Sequence, residues 1–519
     1  MFLLQKAALG LLLLASTSLL QSLVFKRRKK SAAQRAHHDG LFPPGPPGSW
    51  PVLGHLPFLA AGCPHQVLAH LARHSLGPLI GLRLGSKHAV VVCNSDLAKE
   101  ILHTHDKLLS NRPHFLFVDS VFYGYNVSIM FTSYNPRWAL LRKLCALELF
   151  TTKRLQALQH LRNEEVHCLV ESLLQHSCGG TQAVELGQFF SVMLCNTMSR
   201  MLHSKTLADV GGQGFSAVLK EQEREIAPTI GDFVPWLSFL DLPRKRAMKR
   251  LHDHSDKIIE TMLSQRRQLM KSTPADELPQ DFLQVLLSRE ANNYDQSVDE
   301  DELLTFKEIK GTIYDVLGAG THTTSLALEW AIAELIRNPV CLQKLCNEID
   351  TAMGQGTDQF VTDDDLPKLP YLEKVVKEVL RLHPSAPLFP RLTSEAVKVD
   401  KYLLPANTLV FVNVWAIGRD PAVWQNAEEF CPERFDGKDI DVKGQHYDLI
   451  PFGSGRRVCP GARLALSVLH VTLANLVKAF DWELPDGQSH MDMDMSEQRG
   501  ITSMRATPLL AIPKLRLRA

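Results

Sequence analysis

The 519-residue chain has no CxxC pair among its ten cysteines, almost no net charge (+1), and neither an internal repeat nor a long low-complexity tract. Unpaired, scattered cysteines argue against a disulfide framework and read as reduced, largely buried thiols in a reducing compartment. A balanced charge removes any general attraction to nucleic acid or to acidic substrates. Length alone would allow two or three domains. Charge is also missing from residues 7–25, about 19 residues, which at 1.5 Å each just span a bilayer's hydrocarbon core. Five basic residues follow at 26–30, so the positive-inside bias leaves the rest of the chain cytosolic. A cleaved secretory signal would carry its charge before the apolar stretch, not after it. The expectation is a membrane anchor over 1–25, a basic polar linker over 26–42 and a catalytic domain over 43–519. Pro43, Pro44, Pro46 and Pro47 stiffen the entry to that domain into an extended spacer.

What is present is concentrated in ten residues, FGSGRRVCPG at 452–461. Cys459 lies in a glycine-rich turn with Arg457 two residues before it and Pro460-Gly461 directly after. That setting suits a thiolate, because an ordinary thiol with a pKa of about 8.5 stays ionised only beside positive potential and N–H donors. Gly453 and Gly455 let the backbone turn sharply. The run after Gly461 has helical spacing, placing a helix N-terminus beside the sulfur. Phe452 would cover the loop and limit water at a haem-bound sulfur. The competing reading is a structural cysteine, but Phe452, Gly455, Arg457, Cys459 and Gly461 together favour an axial haem ligand.

The segment resembles the haem-binding loop of the cytochrome P-450 family of haem-thiolate monooxygenases, and further motifs follow in the order that family needs. Trp138 and Arg142 in WALLR stand four apart on an expected helix and resemble its WxxxR pair, which faces a haem propionate. Arg457 and Arg391 are further propionate partners. Glu378 and Arg381 in KEVLR lie three apart, hence side by side on a helix; with Arg434 in CPERF they resemble the family's Glu-Arg-Arg scaffold. Thr305 and Glu308 form a capping-box pattern before a run to Arg337, where Asn338-Pro339 stops it. Its middle reads LGAGTHTTS and resembles the oxygen-activation motif, with Thr323 as the proton-steering hydroxyl. Small residues there are expected to clear space and let the helix distort. The family's acid is replaced by His322, an imidazole able to relay protons near neutral pH, with Asp315, seven residues earlier and close to the same helix face, a weaker candidate for helping it.

The resemblance implies a mainly α fold with small β-sheets: one large helical domain around a buried haem b, with Cys459 as metal ligand. It implies a monooxygenase using dioxygen and NADPH electrons from a membrane-bound reductase, a small hydrophobic substrate, and an anchored position on the endoplasmic reticulum, with no nucleic-acid partner. Longer phrases such as FCPERF and VNVWAIGRDPAVW look like plant microsomal members serving specialised metabolism. Substrate contacts are expected from residues 115–125, 385–390 and 501–504 and from the helix side before Gly318. A phenylpropanoid or flavonoid substrate is the first reading. A terpenoid or fatty acid, or redox-independent isomerase or dehydratase chemistry on the same fold, is the alternative. A non-catalytic haem sensor would show an added regulatory domain, and none is visible.

Overall fold

The computed structural model describes residues 42–291, 299–354 and 360–516. The anchor and most of the linker expected at the N-terminus lie outside the described residues, as does most of the acidic stretch 292–302.

Apolar, β-branched runs separated by Gly85 and by Pro405-Ala406-Asn407 form the sheets. The strands in chain order are β1 Leu79–Leu84, β2 Lys87–Val92, β3 Val184–Glu185, β4 Leu388–Leu392, β5 Val397–Val399, β6 Tyr402–Leu404, β7 Leu409–Asn413, β8 Phe480–Glu483 and β9 Leu510–Leu515. The expected strands near 90 and 410 are β2 and β7, and they pair in parallel, Ala89 opposite Leu409 through Val92 opposite Val412. The four-stranded sheet runs β1-β2-β7-β4; smaller sheets are β3-β9-β8 and β5-β6.

Helices make up the rest of the core. Those that build the site are α1 Pro136–Glu148, α2 Leu186–His203, α3 Phe215–Glu225, α4 Leu242–Ser272, α5 Phe306–Arg337, α6 Pro370–Leu382 and α7 Ala462–Ala479. The start of α5 is the expected capping box: Glu308 N–H donates to Thr305 Oγ1 at 3.3 Å, and Thr305 N–H donates to Glu308 Oε2 at 2.8 Å. It stops at Asn338, where Pro339 opens the next helix. Its 32 residues span about 48 Å at 1.5 Å each, enough to cross the domain. Most of its side chains are buried, against α2, α6 and α7 among others. Helix α7 is apolar and long enough to cross a membrane, but it lies mostly inside the fold. One large apolar cluster joins the helices and a smaller one, including Val90, Val92, Val410, Val412 and Ile450, lies under the four-stranded sheet.

Candidate active site

Two glycines shape the loop that carries Cys459. Gly453 has φ +73° and Gly455 φ +70°, a region that side chains beyond hydrogen disfavour. A Cβ on Gly455 would also sit 2.2 Å from the Leu102 carbonyl oxygen. The turn closes where Cys459 N–H donates to the Phe452 carbonyl at 2.9 Å. Gly461 is the N-cap of α7, and its N–H points at the Cys459 sulfur. Burial pushes the Cys459 thiol up, while the Gly461 N–H and the Arg142 charge pull it back. Gly461 itself needs no special conformation: at this position a Cβ would meet the Phe150 ring at 3.8 Å, an ordinary contact.

Cations gather beside this loop. Arg142, from α1, donates to the Val458 carbonyl at 2.6 Å. Arg457 is buried, donates to the carbonyls of Ser110, Ile129 and Thr132, and stacks 4.3 Å over the Trp138 ring. Arg391, on β4, is 2 % exposed and donates to the neighbouring Pro390 carbonyl at 3.3 Å. Arg112 donates to that same carbonyl and leaves its buried Nε without an acceptor. Trp138 Nε1 is likewise buried without a partner. Burial, and then repulsion from Arg112 and Arg457, lowers the Arg391 guanidinium pKa, while burial and then Arg112 and Arg142 lower that of Arg457 to about 9. Clustered, under-satisfied buried donors of one sign require an anion. Arg112 had no signal in the sequence beyond an arginine before Pro113; only folding brings it to Arg391.

The middle of α5 carries the other expected residues. Val316, Gly318, Ala319, Gly320 and Thr323 are half-exposed in the middle of a mostly buried helix, and the i, i+3, i+4, i+7 spacing of all but Gly318 puts those four on one face. The expected distortion is absent: α5 is continuous α-helix through 318–320. Gly320 serves close packing, since its Cβ would lie 2.6 Å from Met198 Sδ of α2, whereas the space beside Gly318 is open to 3.9 Å from Leu219. Thr323 Oγ1 donates to the Ala319 carbonyl at 2.7 Å, which satisfies the hydroxyl hydrogen without bending the helix and leaves the oxygen's lone pairs as acceptors. His322 points to a different side, 3.4 Å from Thr502 Oγ1 and 3.6 Å from Glu223 Oε2 of α3. Asp315 does not help it. Its carboxylate accepts the Met130 N–H at 3.0 Å, and burial pushes its pKa up to about 7.

The scaffold residues meet in one network. Arg381 grips Glu378 with two bonds of 2.7 and 2.8 Å, and Arg434 Nε donates to Glu378 Oε1 at 2.8 Å. The remaining Arg381 nitrogen donates to the carbonyls of Gly418 and Ala427, so the pair is fully bonded although Glu378 and Arg381 are sealed from solvent. The aromatics of 115–125, expected to contact substrate, pack against other rings of the fold. Phe115, Phe117 and Phe122 are buried against one another, Phe131 and Tyr314, and Tyr123 and Tyr125 hydroxyls bond Asp256 and the Arg112 carbonyl. They are mainly core packing.

A half-buried sulfur with an N–H donor, a set of anion-seeking guanidiniums and a half-open helix face suit a planar dianionic haem. The sequence profile of the cytochrome P-450 family matches residues 43–510. The chain belongs to that family. It is a haem-thiolate monooxygenase with the P-450 fold, and electrons in this family come from NADPH through a reductase. It is 41% identical to a flavonoid 3'-monooxygenase of Crocosmia x crocosmiiflora over 488 residues, covering 92% of both chains. It is 40% identical to a flavonoid 3'-monooxygenase of Oryza sativa subsp. japonica, covering 97% of this chain and 96% of the relative. A dimethylnonatriene synthase of Zea mays is 38% identical, covering 94% and 93%. Among solved structures, a zebra fish cytochrome P-450 with abiraterone superposes with a TM-score of 0.72 at 25% identity, covering 88% of this chain and all of that one. These relatives make the P-450 an oxidase of specialised metabolites.

Proposed function

We propose that this P-450 hydroxylates a phenylpropanoid or flavonoid, with Cys459 as the axial haem ligand. When bound, haem supplies the iron at which dioxygen is activated. The observation that carries the reading is the Cys459 loop, where the Gly461 N–H and the Arg142 charge act on a half-buried sulfur against the upward push of burial and so favour the thiolate. Arg391, Arg112 and Trp138 Nε1, with Arg457 and Arg142 behind them, would hold the propionates. Phe452 limits water at the sulfur, and Gly461 starts the helix behind it. Thr323 holds a proton at its Oγ1 on the half-open face of α5, and His322 supplies protons from the other side of the helix. Glu378, Arg381 and Arg434 lock the frame beneath. The flavonoid assignment rests on the relatives named above at 40–41% identity. The maize relative supports a terpenoid as the second reading. The anchor over 1–25 would hold the protein on the endoplasmic reticulum membrane, with the reductase docking near Arg142, Lys143 and Arg456.

Microsomes carrying the full chain and a reductase, offered phenylpropanoid, flavonoid and terpenoid panels, will yield an NADPH-dependent hydroxylated flavonoid or phenylpropanoid. Product from the terpenoids alone reverses the choice, and turnover without NADPH replaces monooxygenation with isomerase chemistry. Cys459→Ala will abolish the carbon-monoxide band near 450 nm that thiolate ligation produces; a surviving band removes the ligand assignment.

A further inference from the structure

Residues 498–504, closed at the base by the pairing of Glu497 with Arg505, form neither helix nor strand, yet Thr502, Ser503 and Met504 are buried. Irregular loops are ordinarily mobile, but this one is tied at base and tip. At the base, Glu497 accepts the Trp415 indole N–H at 2.9 Å and lies 2.6 Å from His65 Nε2. The tip is held through one residue. The Ser503 carbonyl accepts the indole N–H of Trp330, on α5, at 2.6 Å, and the Ser503 N–H donates to the Ser385 carbonyl at 3.1 Å. Ser385 Oγ in turn donates to the Thr323 carbonyl at 2.7 Å. Two segments expected at the substrate, 385–390 and 501–504, therefore meet the Thr323 turn of α5 at a single joint. Beyond Ser385 the same segment reaches the cysteine loop, where a Cβ on Gly453 would lie 3.4 Å from the Phe389 ring.

We propose that Trp330 and Ser385 are positioning residues for substrate: they fix the 501–504 tip against segment 385–390 and so decide which substrate carbon is presented for oxidation. Trp330 stands about two helical turns from Thr323 and acts through Ser503. Its own ring is immobilised. It is fully buried and stacks on His383, with centroids 3.8 Å apart and planes 5° from parallel. His383 Nε2 is 2.7 Å from Glu334 Oε1, one turn further along α5, and the Arg505 guanidinium lies 5.0 Å over the indole. Core packing accounts for the ring but not for the N–H. Trp424 shows the difference, being equally buried with an N–H that has no acceptor. Without the Trp330 N–H, the sealed Ser503 carbonyl loses a donor that water cannot replace, a costly state that the tip escapes only by moving. A displacement of about 1 Å, begun far from the chemistry, is enough to change how a bound substrate reacts.

The inference rests on the monooxygenase reading, but its first test needs no substrate. In the full-chain holoenzyme, Trp330→Phe will speed amide hydrogen exchange across 497–505 about tenfold. Trp424→Phe, the same ring change with no bond to lose, will leave that segment as it was. Unchanged exchange in Trp330→Phe, or equal acceleration in both variants, overturns the proposal. The second test takes a panel compound with more than one oxidisable carbon. Trp330→Phe and Ser385→Ala will each shift the ratio of its product isomers about threefold or more, with the thiolate carbon-monoxide band retained. Only folded enzyme makes product, so a mere loss of stability would not move that ratio. Ser385→Thr, which keeps the hydroxyl, will hold the wild-type ratio. Wild-type ratios in both Trp330→Phe and Ser385→Ala overturn the proposal, and if Trp330→Phe fails to keep haem, Ser385→Ala decides alone. A wild-type enzyme that oxidises nothing on the panels sinks the functional reading instead, and hydrogen exchange still decides whether the joint holds the loop.

Discussion

Asp315 and Arg391 are both buried against their chemistry, and each can be tested by removing charge. The Asp315 carboxyl is raised to about 7 by burial, whereas an unfolded aspartate titrates near 3.9. Between those values the native state holds a proton that the unfolded chain has lost. Its stabilising share is therefore full below about pH 4 and is lost as pH rises through about 7. Asp315→Asn will flatten that decline and make the protein more stable than wild type above neutral pH, read by denaturant unfolding across the window. Asn keeps an acceptor for the Met130 N–H, so the bond at 3.0 Å has a replacement. Arg391→Leu separates two roles. With the proposed propionate contact gone, haem will be lost faster to an acceptor protein. The haem-free protein will instead be more stable by about 1 kcal/mol or more, since a repelled buried charge has gone. Stabilisation of both forms would show that Arg391 does not face the cofactor.

At the scale of elements, the Cys459 loop and α5 solve opposite problems. The loop needs a backbone that ordinary residues resist, and Gly455 combines a positive φ with a carbonyl 2.2 Å from its would-be Cβ. Gly455→Ala will cost at least about 2 kcal/mol and reduce haem content in the purified protein; Gly461→Ala, without either constraint, will retain it. A regular helix is enough for α5. Its register alone puts Thr323 on the half-open face and His322 toward α3, one residue apart and about 100° around the axis. The expectation of a kink at the glycines failed because Gly320 is occupied by packing against Met198, a partner over a hundred residues away and invisible to local sequence.

For the whole molecule, the Glu378–Arg381–Arg434 network, its first two members fully buried, ties α6 to the segment 418–434 ahead of the Cys459 loop. Glu378→Ala leaves two guanidiniums without their carboxylate and will destabilise by about 3–5 kcal/mol, seen as loss of soluble haem-loaded protein; Glu373→Ala on the exposed side of the same helix will not. Much of this architecture was legible beforehand. The Thr305 cap, the Asn338-Pro339 stop, the strands at 89–92 and 409–413 and the spacing of Glu378 and Arg381 are local patterns, set by hydrogen-bond termini and side-chain periodicity within a few residues. The partners of the 115–125 aromatics, Phe131 and Tyr314 among them, were hidden because periodicity does not say which ring meets which. Arg112 beside Arg391, Glu223 beside His322 and Met198 against Gly320 were equally hidden, being contacts between segments far apart in the chain. Local chemistry chose the helices, turns and the cysteine's surroundings; long-range packing, where burial free energy is gained between distant segments, chose which charges face one another.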